Sequence, residues 1–125
     1  MQTVPDLIDA AIDGQIHFDE FAEKIAKLGV ESIAFDFVKR VHTYYMEGDG
    51  VFDHPLQHKT DLQIGKVFSR EAVIEAIAGY DQRTITATQF HESLARAGVS
   101  FARCYEKANR AIYLSPQGEF HLEQW

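Results

Sequence analysis

Apolar residues recur with the spacing of a helix in four stretches of the chain. Over 4–12 and 18–28 they stand three and four positions apart, as on one buried helix face. A third stretch follows Ser69 and a fourth follows Thr86, and both residues can accept hydrogen bonds from the free amides that begin a helix. Glycine favours the end of a helix, so we expect the third helix to close at Gly79. The pattern predicts four helices.

A two-residue alternation of apolar and polar positions follows the second helix. Ile33, Phe35 and Phe37 share one face if the segment is a strand, and smaller or polar residues share the other. Further strand-like stretches, rich in β-branched or aromatic residues, occupy 41–46, 100–107, 110–115 and 119–125. The segment 62–68 is predicted as an edge strand, whereas Pro55 argues against a central strand in the stretch before it.

The two halves of the chain repeat one pattern at a shift of 69 positions. Under this shift six residues within 16–30 meet identical residues within 85–99. Each half reads as two helices followed by two strands, so we predict an α+β fold in which two tandem α-α-β-β units form one pseudo-symmetric domain with an antiparallel sheet. The single domain covers 1–125, with the first unit over about 3–50, a connecting segment over 51–68 and the second unit over about 69–125.

The repeat has one defect, in the first strand of each unit. The shift pairs the bulky residues of one strand with a mixed set in the other, namely Ile33, Phe35 and Phe37 with Ala102, Cys104 and Glu106. The bulky residues of the second strand stand one position earlier, at Phe101, Arg103 and Tyr105. Because a one-residue change reverses which face of a strand is buried, either the second hairpin is shifted by one residue or the two strands bury opposite faces.

Charge is unevenly distributed along the chain. The net charge is −7, and the residues before Thr84 carry 8 Lys and Arg against 15 Asp and Glu, whereas the remainder carries 4 against 4. An acidic chain without a basic stripe is a poor partner for nucleic acid or for an anionic membrane surface. Since the sequence shows neither a signal-peptide pattern nor an apolar run of membrane-spanning length, we expect a cytoplasmic protein.

Short motifs in both halves resemble those of the YbcV-like family. The matching residues are Phe18, Phe21, Leu28, Gly29, Val30, Asp36, Phe37, Thr43, Tyr44, Tyr45 and Gly48, with 95–99 in the second half. The family comprises short bacterial and prophage-associated proteins of unknown function, some of them labelled phage envelope protein. The resemblance runs over most of the chain, and it implies prophage association but brings no catalytic residues.

Histidines supply the candidate metal chemistry. The candidate ligands, which share imidazole or carboxylate groups, are His54, His58, Asp53 and His17. Histidines four apart share one face of a helix, although Pro55 biases the residue before it away from helical geometry. His42 can complete the site if the loop folds back, which would suit a metal-assisted hydrolase with zinc or another divalent metal as cofactor. The alternatives are solvated loop histidines without a cofactor, and a helix-capping role for His17.

Binding to a ligand or to another protein is the leading functional prediction. Ligands favour the seam where two related units meet. The candidate ligand-binding residues are Tyr44 and Tyr113, which the repeat relates, together with His42; packing at the rim of the core is the alternative for the tyrosines. The C-terminal segment 119–125 offers Phe120, Leu122 and Trp125 to a second copy of the chain or to a protein partner, unless it packs on its own sheet.

Overall fold

A computed structural model describes residues 3–56 and 62–125, in which four helices lie beside a six-stranded sheet. The helices are α1 (Val4–Ile12), α2 (Phe18–Lys27), α3 (Arg70–Asp81) and α4 (Ala87–Arg96). The strands are β1 (Val30–Asp36), β2 (Val41–Met46), β3 (Val51–Pro55), β4 (Phe101–Tyr105), β5 (Arg110–Leu114) and β6 (Phe120–Gln124). The predicted α+β class is confirmed. Each half has a third strand that the predicted α-α-β-β unit lacks.

The sheet joins the two halves of the chain through its central strands. The strand order is β3-β2-β1-β4-β5-β6, and every neighbouring pair is antiparallel. Two clusters of buried residues pack between the helices and the sheet, one around α1, α2 and β1 and the other around α3, α4, β4 and β5. None of the helices in the described part of the chain is long and apolar enough to cross a membrane.

The helix starts follow the capping pattern in the sequence, but one predicted helix end is wrong. Thr86 accepts a hydrogen bond from the amide of Gln89, whose side chain accepts from the amide of Thr86 in return. Helix α3 does not end at Gly79 but continues to Asp81, and the backbone turns left-handed only at Arg83, with φ of 62°. Gly79 instead allows close packing inside the helix, since a Cβ there would lie 3.3 Å from the hydroxyl oxygen of Thr84.

The predicted edge strand over 62–68 is also wrong. Its backbone bonds to the end of α4 instead, because the Gly65 amide donates to the Ala95 carbonyl at 2.8 Å. A Cβ on Gly98, which is left-handed with φ of +94°, would lie 2.8 Å from the Cα of Phe68, so the segment lies directly on the glycine that ends the helix. The edge strand of the first half is β3, within the predicted connecting segment.

The register of β4 differs from both alternatives that the sequence left open. Ile33 lies opposite Cys104, and Phe35 lies opposite Ala102, so these four side chains share the face that packs on the helices. The bulky residues of β4 lie on the other face, where the Arg103 guanidinium stacks on the Tyr45 ring at 4.1 Å. The 69-residue shift therefore keeps its register, and β4 turns its small residues toward the helices.

Candidate functional site

A cavity of about 240 Å³ lies between the helices and the sheet where the two halves meet. We call it the central cavity, and the residues that characterise its lining are Phe35, His42, Tyr80, Phe90, His91 and Tyr113. Residues from all four helices line the cavity. Residues from five of the six strands, namely β1, β2, β4, β5 and β6, line it as well. The lining is mostly aromatic and aliphatic, which is the usual character of a small-molecule site.

Small side chains on the second half of the sheet leave this space open. Ala102 and Cys104 of β4 and Ala111 of β5 line the cavity and are buried. Burial in an apolar setting raises the pKa of the Cys104 thiol, so it is no candidate nucleophile at neutral pH.

Three stacked or edge-on aromatic rings form the wall of the cavity on the side of α3 and α4. Tyr80 and Phe90 stack with ring centroids 4.8 Å apart, and Phe90 meets Tyr113 edge-on at 6.4 Å. Burial raises the pKa of Tyr80 to about 12 and that of Tyr113 well above its ordinary value. Both hydroxyls therefore stay protonated at neutral pH, and the wall offers aromatic surface and hydroxyl groups.

Two buried histidines provide polar groups in the lining of the cavity. His42 of β2 is 0% exposed, His91 of α4 is buried, and their ring centroids are 6.4 Å apart. The Phe35 ring contacts both, at 4.7 Å from His42 and 5.4 Å from His91. An imidazole carries both a donor and an acceptor nitrogen when neutral, so this pair can fix the orientation of a ligand with one polar group.

Carboxylates line the cavity where it approaches the surface. Asp81 is exposed, and Asp19 and Glu123 also belong to the lining. Partial burial raises the pKa of Asp81, and the negative charges of Glu123 and Asp19 raise it further. This side of the cavity therefore disfavours an anionic ligand.

The structure brings two of the three predicted ligand-binding residues to the central cavity. His42 and Tyr113 both line it. Tyr44 does not belong to its lining. Its ring stacks on that of Phe52, with centroids 5.4 Å apart, and packs against the cluster of buried residues around α1, α2 and β1. His91 lines the cavity although the sequence indicated only a boundary residue, because its position beside the apolar stripe of α4 does not reveal what the helix faces.

The predicted metal ligands have separate partners. His54 lies 2.9 Å from a carboxylate oxygen of Asp9, whereas Asp53 accepts a hydrogen bond from the Thr43 hydroxyl at 2.7 Å. Adjacent strand residues point to opposite faces, which separates these two side chains. His58 lies outside the described residues. Among residues 3–56 and 62–125, no three His, Cys, Asp or Glu side chains form a group that could hold a metal ion.

His17 links the two halves instead of joining a metal site. Its Nδ1 lies 3.4 Å from the Asp19 amide, as in a helix cap, and its Nε2 lies 2.8 Å from the carbonyl oxygen of Tyr80. A single neutral tautomer satisfies both contacts, with Nδ1 accepting and Nε2–H donating. The capping role that the sequence offered as an alternative is the one observed.

The apolar residues of the C-terminal segment do not form one surface. Phe120 and Leu122 are each 49% exposed and alternate with residues that face the helices. Trp125 lies on the helix side, where its ring meets Phe18 edge-on at 5.7 Å. Part of the segment therefore packs on its own protein, and part is exposed on the uncovered face of the sheet.

Comparison with known proteins adds no relative. A scan against protein-family models and a search of curated proteins found no match to this chain. The resemblance to the YbcV-like family therefore remains a prediction from short motifs.

Proposed function

We propose that the protein binds a small, mainly apolar molecule in the central cavity. The observation that carries this proposal is the size of the cavity. Protein cores are normally packed as densely as organic crystals. A space of 240 Å³ between helices and sheet lacks part of the packing contacts that such density provides, which is a cost to stability. A ligand that fills the space offsets this cost.

The shape and chemistry of the cavity restrict the ligand. An apolar cavity of about 150 Å³ holds benzene, so 240 Å³ suits a molecule with one or two rings. His42 and His91 would orient one hydroxyl or similar neutral polar group of the ligand, and Phe90 and Tyr113 would contact its rings. The carboxylates near the surface favour a neutral molecule over an anionic one.

We also propose that the two halves are copies of one unit with two helices and three strands. Helices α2 and α4 begin at 18 and 87 and end at 27 and 96, so both bounds differ by 69. Left-handed backbone recurs at the same shift in three pairs, which are Gly14 and Arg83, Gly29 and Gly98, and Arg40 and Asn109. Under this proposal the ligand lies between the copies, where binding sites commonly form.

Family membership, cellular location and self-association are further proposals. The YbcV-like motifs favour a prophage-associated protein, and the acidic charge favours a cytoplasmic one. Phe120 and Leu122 on the uncovered sheet face are the residues most suited to contact a second copy or another protein.

Occupancy of the cavity by apolar probes tests the binding proposal. We expect indole, 2-naphthol or xenon under pressure to raise the melting temperature and to perturb the NMR signals of cavity residues. An Ala102→Leu variant should lose this response because leucine fills the cavity floor. The matched control is Ala78→Leu, which adds the same atoms on the exposed side of α3. If no probe binds the wild-type protein, or if Ala102→Leu responds equally, the proposal is wrong.

A further inference from the structure

A second pocket lies between α2 and the turn that joins β4 to β5. We call it the turn pocket; it has a volume of about 280 Å³, and its main lining residues are Phe18, Ala22, Ala26, Glu106, Asn109 and Trp125. The α2 residues Phe18, Ala22 and Ala26 lie on one face of that helix, and Trp125 contributes a second aromatic ring. Glu106 supplies the carboxyl group of the turn.

Two small or polar residues take the place of large rings in this pocket. Under the 69-residue shift, the equivalent pair is Phe37 of the first half and His91 of the second, whose ring centroids are 5.4 Å apart. The residues 69 positions away from these two are Glu106 and Ala22, both of which line the turn pocket. The exchange of two rings for a carboxyl and a methyl group accounts for the open space.

Glu106 is buried without a partner. Its exposed fraction is 7%, and neither carboxyl oxygen accepts a hydrogen bond from any other residue within 3–56 and 62–125, so the only nearby donor is its own backbone amide. A buried carboxylate normally has a cation or several donors around it, because an uncompensated buried charge is strongly unfavourable. The pocket that Glu106 lines is the place from which such a partner could approach.

We propose that the turn pocket binds the ammonium group of a small organic amine, with the Glu106 carboxylate as its counter-ion. The Phe18 and Trp125 rings lie edge-to-face at 5.7 Å, and their faces can attract the cation. Asn109 offers an amide oxygen as a further acceptor. The methyl groups of Ala22 and Ala26 suit the apolar part of an amine and not a hydrated metal ion. The turn pocket shares Phe18, Asp19 and Trp125 with the central cavity, but Glu106 lines the turn pocket alone, so this proposal does not depend on the proposed function.

Binding of an amine should release a proton. Burial raises the pKa of Glu106 to about 8, so the empty pocket holds a neutral carboxyl group at pH 7. An ammonium ion stabilises the carboxylate, and the carboxyl proton then passes to the buffer. The other ionisable groups around Glu106 are Asp19 and Glu23 on α2, Cys104 on β4, and Lys107 in the turn, whose amine pairs with Glu47.

Benzylammonium chloride is the probe, and the intrinsic fluorescence of Trp125 reports its binding. Trp125 is the only tryptophan in the sequence and lines both pockets, so the titrations are made in an Ala102→Leu background, in which the central cavity is filled and the signal reports the turn pocket. Benzyl alcohol serves as the neutral molecule of the same shape. We expect saturable binding of benzylammonium, at least about tenfold weaker binding of benzyl alcohol, and a heat of binding at pH 7 that varies with the ionisation heat of the buffer.

Two variants test the role of Glu106. Glu106→Gln should weaken benzylammonium binding at least about tenfold and abolish the proton release. The control Glu20→Gln removes a carboxylate from α2 outside the pocket and should leave both unchanged. Ala22→Leu fills the turn pocket but keeps Glu106. We expect this variant to lose benzylammonium binding to the same extent as Glu106→Gln. The proposal is overturned if the wild-type protein does not bind benzylammonium, if benzyl alcohol binds equally well, or if Glu106→Gln binds as the wild type does.

Discussion

The two central strands of the sheet present different surfaces to the helices. On β1, Ile33 and Phe35 fill the space under the helices, and Ile33 is 0% exposed. On β4, the residues directly opposite are Cys104 and Ala102, which are much smaller. The same arrangement of elements is therefore closely packed on one strand and open on the next.

This difference shows how a binding cavity can arise without a change of fold. The backbone hydrogen bonds between β1 and β4 do not depend on side-chain size, so replacing large residues with small ones leaves the sheet intact. What changes is the volume between sheet and helices, which becomes the central cavity. The residues that open the cavity are thus the small ones, whereas the residues proposed to contact a ligand are larger ones around them on both sheet and helices.

The largest effect we expect concerns the pH dependence of stability at Glu106, the counterpart of Phe37 in the other turn. Burial raises the pKa of Glu106 from the ordinary 4.5 to about 8. Between these values the folded protein retains a proton that the unfolded chain has released, so stability must fall as pH rises through this range. At about 1.4 kcal/mol per pKa unit, the loss is on the order of 5 kcal/mol.

Urea unfolding at several pH values between 4.5 and 9 measures this loss. Glu106→Gln should flatten the curve, because the amide has no proton to release. Glu75→Gln, on the exposed side of α3, is the control and should keep the wild-type slope. An unchanged slope in Glu106→Gln would show that other groups cause the pH dependence.

The next effect compares side-chain truncation on the two central strands. Ile33→Ala should lower the free energy of unfolding by about 3–4 kcal/mol, because it opens a cavity in a packed cluster. Cys104→Ala, directly across the strand pair, should cost about 1 kcal/mol or less, because its side chain already borders an open space. Urea unfolding of both variants gives the two values. Equal losses would mean that the second half is as tightly packed as the first.

The sequence carries enough local information to predict most elements of this fold. Caps at Thr86 and Ser69 begin helices where predicted, and the stretch of β-branched and aromatic residues over 41–46 matches β2 residue for residue. The wrong predictions concern segments whose conformation is determined by tertiary contacts. Glycine commonly ends a helix, yet Gly79 lies inside α3. The segment 62–68 has the composition of a strand, but its backbone forms hydrogen bonds with the end of α4.

The candidate site was less predictable, for a physical reason. Tyr113 and His42 could be chosen because they are aromatic or ionisable residues near a predicted seam. A cavity depends on which side chains are absent, and the small residues Ala102 and Ala111 carry no sequence signal of their own. Glu106 likewise lies in the predicted strand over 100–107, and only the structure shows that it belongs to a turn and that its carboxyl group is buried.

The smallest effect concerns the two different caps of α2 and α4. Thr86 forms a reciprocal pair of bonds with Gln89, whereas His17 combines a long cap contact with its bond to the Tyr80 carbonyl. Thr86→His should cost about 1 kcal/mol, because it breaks the reciprocal pair. His17→Thr supplies a better cap but loses the link to α3, so we expect a net change below about 0.5 kcal/mol. Thermal and urea unfolding of the two exchanges measure the difference. If His17→Thr is the more damaging exchange, the link between the halves contributes more than the cap does.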